Sequence, residues 1–150
     1  MTGLTLSEGI LYASTDGKGV FKSTDFGANW VPVFPSSGSY PGLNTVAADP
    51  NNANIVFAGT VSGKVYRSTD GGATWEAFTC SPGYNRGIVQ LAVHRQNSRT
   101  VYAGGYAGFA VSTDSGEHWT HSNSGLSGHY IRSLVADDRD PLTFYAGTRN

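Results

Sequence analysis

The chain carries a single cysteine, Cys80, in 150 residues. No internal disulfide can form, so stability must come from packing. A lone thiol with no histidine at a recognisable spacing is expected to be inert rather than nucleophilic. Charge is also scarce: 14% of residues are charged, ten basic against eleven acidic. That balance provides no basic footprint for a phosphate backbone and excludes nucleic acid as a partner. No apolar run approaches the roughly 20 residues of a membrane-spanning helix, so no membrane partner is expected. Met1 to Ser7 lack the basic start and apolar stretch of a signal peptide, and a soluble chain of unassigned compartment is expected. His118 and His121 are three apart, which on a strand points them to opposite faces and disfavours a zinc pair. No phosphate-cradling glycine loop and no nucleophile elbow occurs, so neither a metal nor a cofactor is expected.

What is abundant is Gly, Ser, Thr, Asn and Tyr, the composition of short strands joined by many turns. The order within them is a repeat. Ser-x-Asp-x-Gly-x-x-Trp occurs as Ser23, Asp25, Gly27, Trp30, again as Ser68, Asp70, Gly72, Trp75, and again as Ser112, Asp114, Gly116, Trp119. The serines are 45 and 44 residues apart, and the surrounding text repeats with them. ILYAST (10–15), IVFAGT (55–60), TVYAGG (100–105) and TFYAGT (143–148) align, as do LNTVAADP (43–50), IVQLAVHR (88–95) and IRSLVADD (131–138). Val46, Ala48, Leu91, Val93, Leu134 and Ala136 follow the period of two that marks a pleated strand. Asp49-Pro50-Asn51-Asn52 and the run from Asp137 to Pro141 are turn chemistry. Each unit therefore reads as four short antiparallel strands, the fourth beginning at Trp30, Trp75 or Trp119. Four strands in about 45 residues is a β-propeller blade, and the expected fold is all-β. Units run over about 1–42, 43–87 and 88–130, with an incomplete one over 131–150, about three and a half blades in one partial propeller.

Within the motif each residue suits a tight hairpin. The Asp carboxylate and Ser hydroxyl accept turn amides, the Gly permits positive φ, and the Trp supplies an apolar plate between blades. The same motif on three radially separated turns cannot converge on one substrate, so it is read as structural, with no catalytic residue assigned. These motifs, with YAGT and KVYRSTDGGATW around them, resemble the Asp-box or BNR repeat over nearly the whole chain. The resemblance extends to sialidases, the sortilin luminal propeller, the photosystem II assembly factor and xyloglucan-degrading glycoside hydrolases. The wording is nearest to the xyloglucanase and assembly-factor branch. Asn29 and His118 stand where Thr74 is usual and are expected to weaken their turns slightly.

A closed propeller needs at least about four blades, and uncovered sheet faces are association surfaces. The chain is accordingly expected to assemble with copies of itself into a ring, or to be a segment of a longer propeller. Propeller topology puts the Asp-boxes and Asp-Pro turns on one face and the blade-to-blade loops on the other. That second face carries Tyr40, Tyr84 and Tyr130, with Arg86, Tyr106, His129 and Arg132 nearby, aromatic plates and polar tips that suit a carbohydrate or a protein ligand. Glycoside hydrolysis would need two carboxylates roughly 5 to 10 Å apart. The chain offers Asp16, Asp49, Glu76, Glu117, Asp137, Asp138 and Asp140 outside the boxes, most of them at turns. In the xyloglucanases that the repeat resembles, the cleft lies between two propellers, so self-contained catalysis is disfavoured here. A non-catalytic binding or scaffolding module is the first reading, with a glycoside hydrolase completed by a partner as the alternative.

Overall fold

The computed structural model describes residues 1–34, 42–80, 87–126, 130–137, 140 and 143–149. It is all-β and repeats one unit. Strands β1 (Gly3–Ser7), β2 (Ile10–Thr15), β3 (Gly19–Ser23) and β4 (Val31–Phe34) form a sheet in sequential order. Strands β5 (Leu43–Asp49), β6 (Asn52–Thr60), β7 (Lys64–Ser68) and β8 (Glu76–Thr79) form the second. Strands β9 (Ile88–Val93), β10 (Val101–Gly105), β11 (Gly108–Ser112) and β12 (Thr120–His121) form the third, and β13 (Tyr130–Ala136) pairs with β14 (Phe144–Arg149) as a half-blade. All neighbouring strands are antiparallel. The first hairpin turns on Glu8 (φ 47) and Gly9 (φ 82), the paired positive dihedrals that match the twist of a two-residue loop.

The repeat extends to register. Leu4 lies opposite Ala13, Val46 opposite Ala58, Leu91 opposite Ala103 and Leu134 opposite Ala146. The inner strands β1, β5, β9 and β13 stand side by side, one per blade, and the cores lie between blades rather than within them. Tyr12, Val20 and Phe34 of the first blade pack with Leu43, Val46, Ala48, Val56 and Ala58 of the second. Ala47, Phe57, Val65 and Cys80 of the second pack with Ile88, Leu91, Val101, Ala103 and Ala110 of the third. At the last junction Tyr102 meets Phe144 at 4.1 Å between ring centroids.

Two sequence expectations change in detail. A strict period of two does not hold in β5, where six of seven residues are buried, because the second blade is covered on both flanks. The fourth strands begin one residue after Trp30, Trp75 and Trp119, at Val31, Glu76 and Thr120. At the last two of these turns the tryptophan still belongs to the turn: the Trp75 indole donates to Gly72 O at 3.0 Å and the Trp119 indole to Gly116 O at 2.9 Å.

Close approach of the inner strands also explains the glycines of the YAGT-type segments. A Cβ at Gly59 would sit 2.9 Å from Ile88 Cγ2, and one at Gly104 would sit 2.7 Å from Ile131 Cγ2. The isoleucine of each following blade uses the space a side chain would fill.

Because the burial of Phe57 is complete and supplied by the neighbouring blade, Phe57→Ala is expected to cost about 3–5 kcal/mol in urea unfolding. Phe26, 83% exposed, is the control: its replacement by alanine should shift stability by no more than about 0.5 kcal/mol.

Candidate functional site

The three Ser-x-Asp-x-Gly-x-x-Trp turns close in the same way. The Ser hydroxyl donates to Asp Oδ1 at 2.7 Å in the first turn and 2.8 Å in the other two. Its oxygen accepts the amide of Gly27, Gly72 or Gly116 at 2.9, 2.8 and 2.8 Å. The same Oδ1 accepts the amide of Asn29, Thr74 or His118 at 2.9, 2.8 and 2.9 Å. Gly27, Gly72 and Gly116 have φ of 89, 97 and 88, and each follows another left-handed residue, Phe26, Gly71 or Ser115. Two successive left-handed residues strongly favour glycine at the more extreme one.

The expected weakening at Asn29 and His118 is absent from the geometry. Thr74 Oγ1 donates to Asp70 Oδ2, Asn29 Nδ2 donates to Asp25 Oδ2 at 2.8 Å, and His118 Nδ1 lies 2.7 Å from Asp114 Oδ2. All three side chains bring a donor to the same carboxylate oxygen. The carboxyls respond accordingly. The Asn29 amide holds Asp25 down at about 2, and the Thr74 hydroxyl and amide hold Asp70 at about 2. The His118 amide, with its ring and Ser112, pulls Asp114 down as well. These carboxylates are spent on their own turns and stay ionised, the opposite of a poised general acid. Ligand atoms of Asp114, Glu117 and His118 lie within 4.8 Å of one another. A cation there would compete with the turn for Asp114 and with Arg67 for Glu117.

Cations one residue before the Ser tie consecutive blades, a role sequence reasoning missed. Lys22 Nζ donates to Gly71 O at 3.2 Å, and Arg67 Nη1 donates to Ser115 O at 3.0 Å. Arg67 also pairs with Glu76 at 3.0 Å and Glu117 at 3.3 Å, and its guanidinium lies 4.7 Å from the Phe78 ring centroid. The signal was a Lys and an Arg at equal offsets in two units, broken by Val111 in the third.

On the opposite face the structure brings together Tyr106, Tyr130 and Arg132. The tyrosine ring centroids are 4.4 Å apart, and the Arg132 guanidinium is 5.6 Å from the Tyr130 ring centroid. The neighbouring Tyr130 hydroxyl raises the Tyr106 pKa. Tyr130 is lowered by the adjacent Tyr106 hydroxyl and Arg132 side chain, with the Arg132 and Arg149 charges acting in the same direction. Tyr40, Tyr84, Arg86 and His129 lie outside the described residues. Of the remaining carboxylates, Glu76 and Glu117 meet on the Arg67 guanidinium, on the Asp-box face. Asp49 is buried and accepts the Asn51 amide at 2.8 Å, while Asp137 accepts the Asp140 amide at 3.1 Å and Asp140 the Thr143 hydroxyl at 2.6 Å. Asp138 lies outside the described residues. Cys80 is buried, which pushes its thiol up to about 12 and leaves little thiolate.

Blades of this geometry with these turns define an Asp-box β-propeller. The family model Sortilin-Vps10, described as "Sortilin, neurotensin receptor 3", matches residues 18–150, and the chain belongs to that family. No curated protein sequence matches it. Among solved structures it is similar to the GH74 enzyme of Niastella koreensis, at 25% identity and TM-score 0.75 over 97% of this chain and 26% of that one. It is also similar to an ancestral GH74 enzyme, at 26% identity and TM-score 0.72 over 94% of this chain and 20% of that one. A structure of YCF48 bound to D1 peptide shares the fold at 17% identity and TM-score 0.71, over 90% of this chain and 44% of that one. The chain thus spans between a fifth and a half of these relatives.

The depressed carboxyls predict acid sensitivity. Asp25 and Asp70 move from an ordinary 3.8 to about 2 on folding. Their contribution is complete above about pH 4 and is lost as pH falls through about 2. Thermal unfolding should show Tm falling across that window, and a variant carrying Asp25→Asn with Asp70→Asn should start lower at pH 7 and fall less.

Proposed function

We propose that the chain is a non-catalytic binding and scaffolding propeller segment. It closes into a ring with a second copy of itself and presents the loop face opposite the Asp-boxes to a carbohydrate or protein ligand. The observation that carries the assembly is the mismatch between equivalent positions at inner junctions and at the two flanks. Val46, Leu91 and Leu134 are 4%, 3% and 4% exposed where a preceding blade covers them; Leu4, in the same register, is 53% exposed. Tyr12, Phe57 and Tyr102 are at most 6% exposed where a following blade covers them; Tyr145 is 61% exposed. Trp30 is open on the first flank, and Val135 beside Tyr145 on the last. Each flank displays the half-interface that the other lacks, so head-to-tail contact repeats a packing the chain already makes three times. The loop face supports a ligand through Tyr106, Tyr130 and Arg132. Similarity to GH74 enzymes at 25% and 26% identity favours one second reading, a glycoside hydrolase whose cleft is completed by a partner.

Light scattering tests the assembly. Twice the chain mass is expected, with Leu4→Glu and Tyr145→Glu each giving monomer. An equimolar mixture of the two variants should recover dimer, because it retains one intact head-to-tail junction. A wild-type monomer at every attainable concentration, with no binding of a hydrophobic-surface dye, would overturn it. Turnover of β-glucans by the wild type, abolished by Asp137→Asn, would transfer the protein to the second reading.

A further inference from the structure

Three of the four inner strands, β5, β9 and β13, carry an extra residue at the end next to the loop face. Pairing skips between Leu43 and Thr45, between Ile88 and Gln90, and between Ile131 and Ser133. The skipped residues are Asn44, Val89 and Arg132. A bulge leaves its residue unpaired and re-aims the side chain. Asn44 spends its amide on a neighbouring blade, donating to Ile88 O at 2.9 Å. Arg132 at the same position is exposed and turns toward Tyr130. Arg149 lies directly across the strand pair from Tyr130 and is also exposed. Among the described residues no carboxylate lies within ion-pair distance of either arginine.

We propose that Tyr106, Tyr130, Arg132 and Arg149 form a subsite for a carboxylate-bearing sugar, a uronic acid residue of a glycan. The proposal rests on the loop-face binding reading above and narrows its ligand. Arg132 offers a guanidinium fork for the carboxylate, the geometry in which arginine outperforms a point charge. Arg149 adds a second positive charge to the same patch. The half-exposed Tyr106 ring, 47% open, supplies a plate for the apolar face of a pyranose. Its tilt against Tyr130, at 39° between ring planes, leaves the pair as a shallow corner rather than a closed stack. The Arg132 guanidinium, 5.6 Å from the Tyr130 ring centroid, flanks that corner. A peptide is the poorer fit. The half-open Tyr106 ring and the exposed Arg132 form an open plate with a charged edge, with no enclosed slot for an amino-acid side chain among the residues of the corner itself. A sugar needs only the plate and the polar tips.

Calorimetric titration of the whole chain with trigalacturonate, cellotriose and a pentapeptide bearing a free C-terminal carboxylate tests the assignment. Trigalacturonate is expected to bind at least about tenfold tighter than cellotriose, a difference within the range of one charge-assisted pair, and to weaken with added salt. Arg132→Ala should cost about tenfold in that affinity, and Arg132→Lys should recover only part of it, with thermal unfolding of both variants unchanged because the side chain is exposed. Equal binding of trigalacturonate and cellotriose, or indifference to Arg132→Ala, would overturn the acidic-sugar assignment while leaving loop-face glycan binding standing. Preference for the peptide would overturn it in favour of a protein ligand. No binding of any of the three would overturn both readings.

Discussion

A blade of this protein cannot bury its own apolar residues. Four short strands make a sheet with two flanks, and each flank is covered only by the sheet beside it. The aromatic of the second strand, Tyr12, Phe57 or Tyr102, lies against the following blade, while Val46, Leu91 or Leu134 of the inner strand lies against the preceding one. This lateral burial places the core between units, makes the fold quasi-one-dimensional, and leaves an unfilled half-interface at either end. The exposure of Leu4 and Tyr145 follows from the same constraint that buries their equivalents.

The Asp-box turns serve that constraint. Their internal bonds fix the hairpin between the third and fourth strands, and the outward carbonyls of the second and third turns meet the preceding blade. Gly71 O receives Lys22 and Ser115 O receives Arg67, so the turn closed by its own aspartate is also the point where neighbouring blades are tied. The Trp75 indole joins Val33 O of the first blade to its own Gly72 O, a second tie at the same level. With both aspartate oxygens committed to the turn, this face holds shape. On the loop face the bulges of the inner strands leave side chains such as Arg132 exposed.

Much of this was legible because it repeats. Three copies of the motif gave period, blade and fold, and the alignment of IVFAGT with TVYAGG gave the strand register almost to the residue. What could not be read was whatever depends on a neighbouring blade. Sequence treats Leu4 and Val46 alike, and only the packed structure separates them. Asn29 and His118 looked like weakened boxes because identity was weighed, whereas the turn asks only for a donor at the right reach, which amide, hydroxyl and imidazole all supply. On the candidate site, tyrosine and arginine were legible as residue types. Their convergence was not, because Tyr106 and Tyr130 come from different blades and Arg132 owes its direction to a bulge that no alternation pattern announces.

Stability passes laterally from blade to blade and thins toward the open flanks. Native-state amide hydrogen exchange, resolved residue by residue on dilute protein, addresses it most directly. The greatest protection is expected in β5, β6, β9 and β10, which are covered on both sides, with faster exchange in β1 and β14. Protection that is uniform along the chain, or highest in β1 and β14, would contradict it.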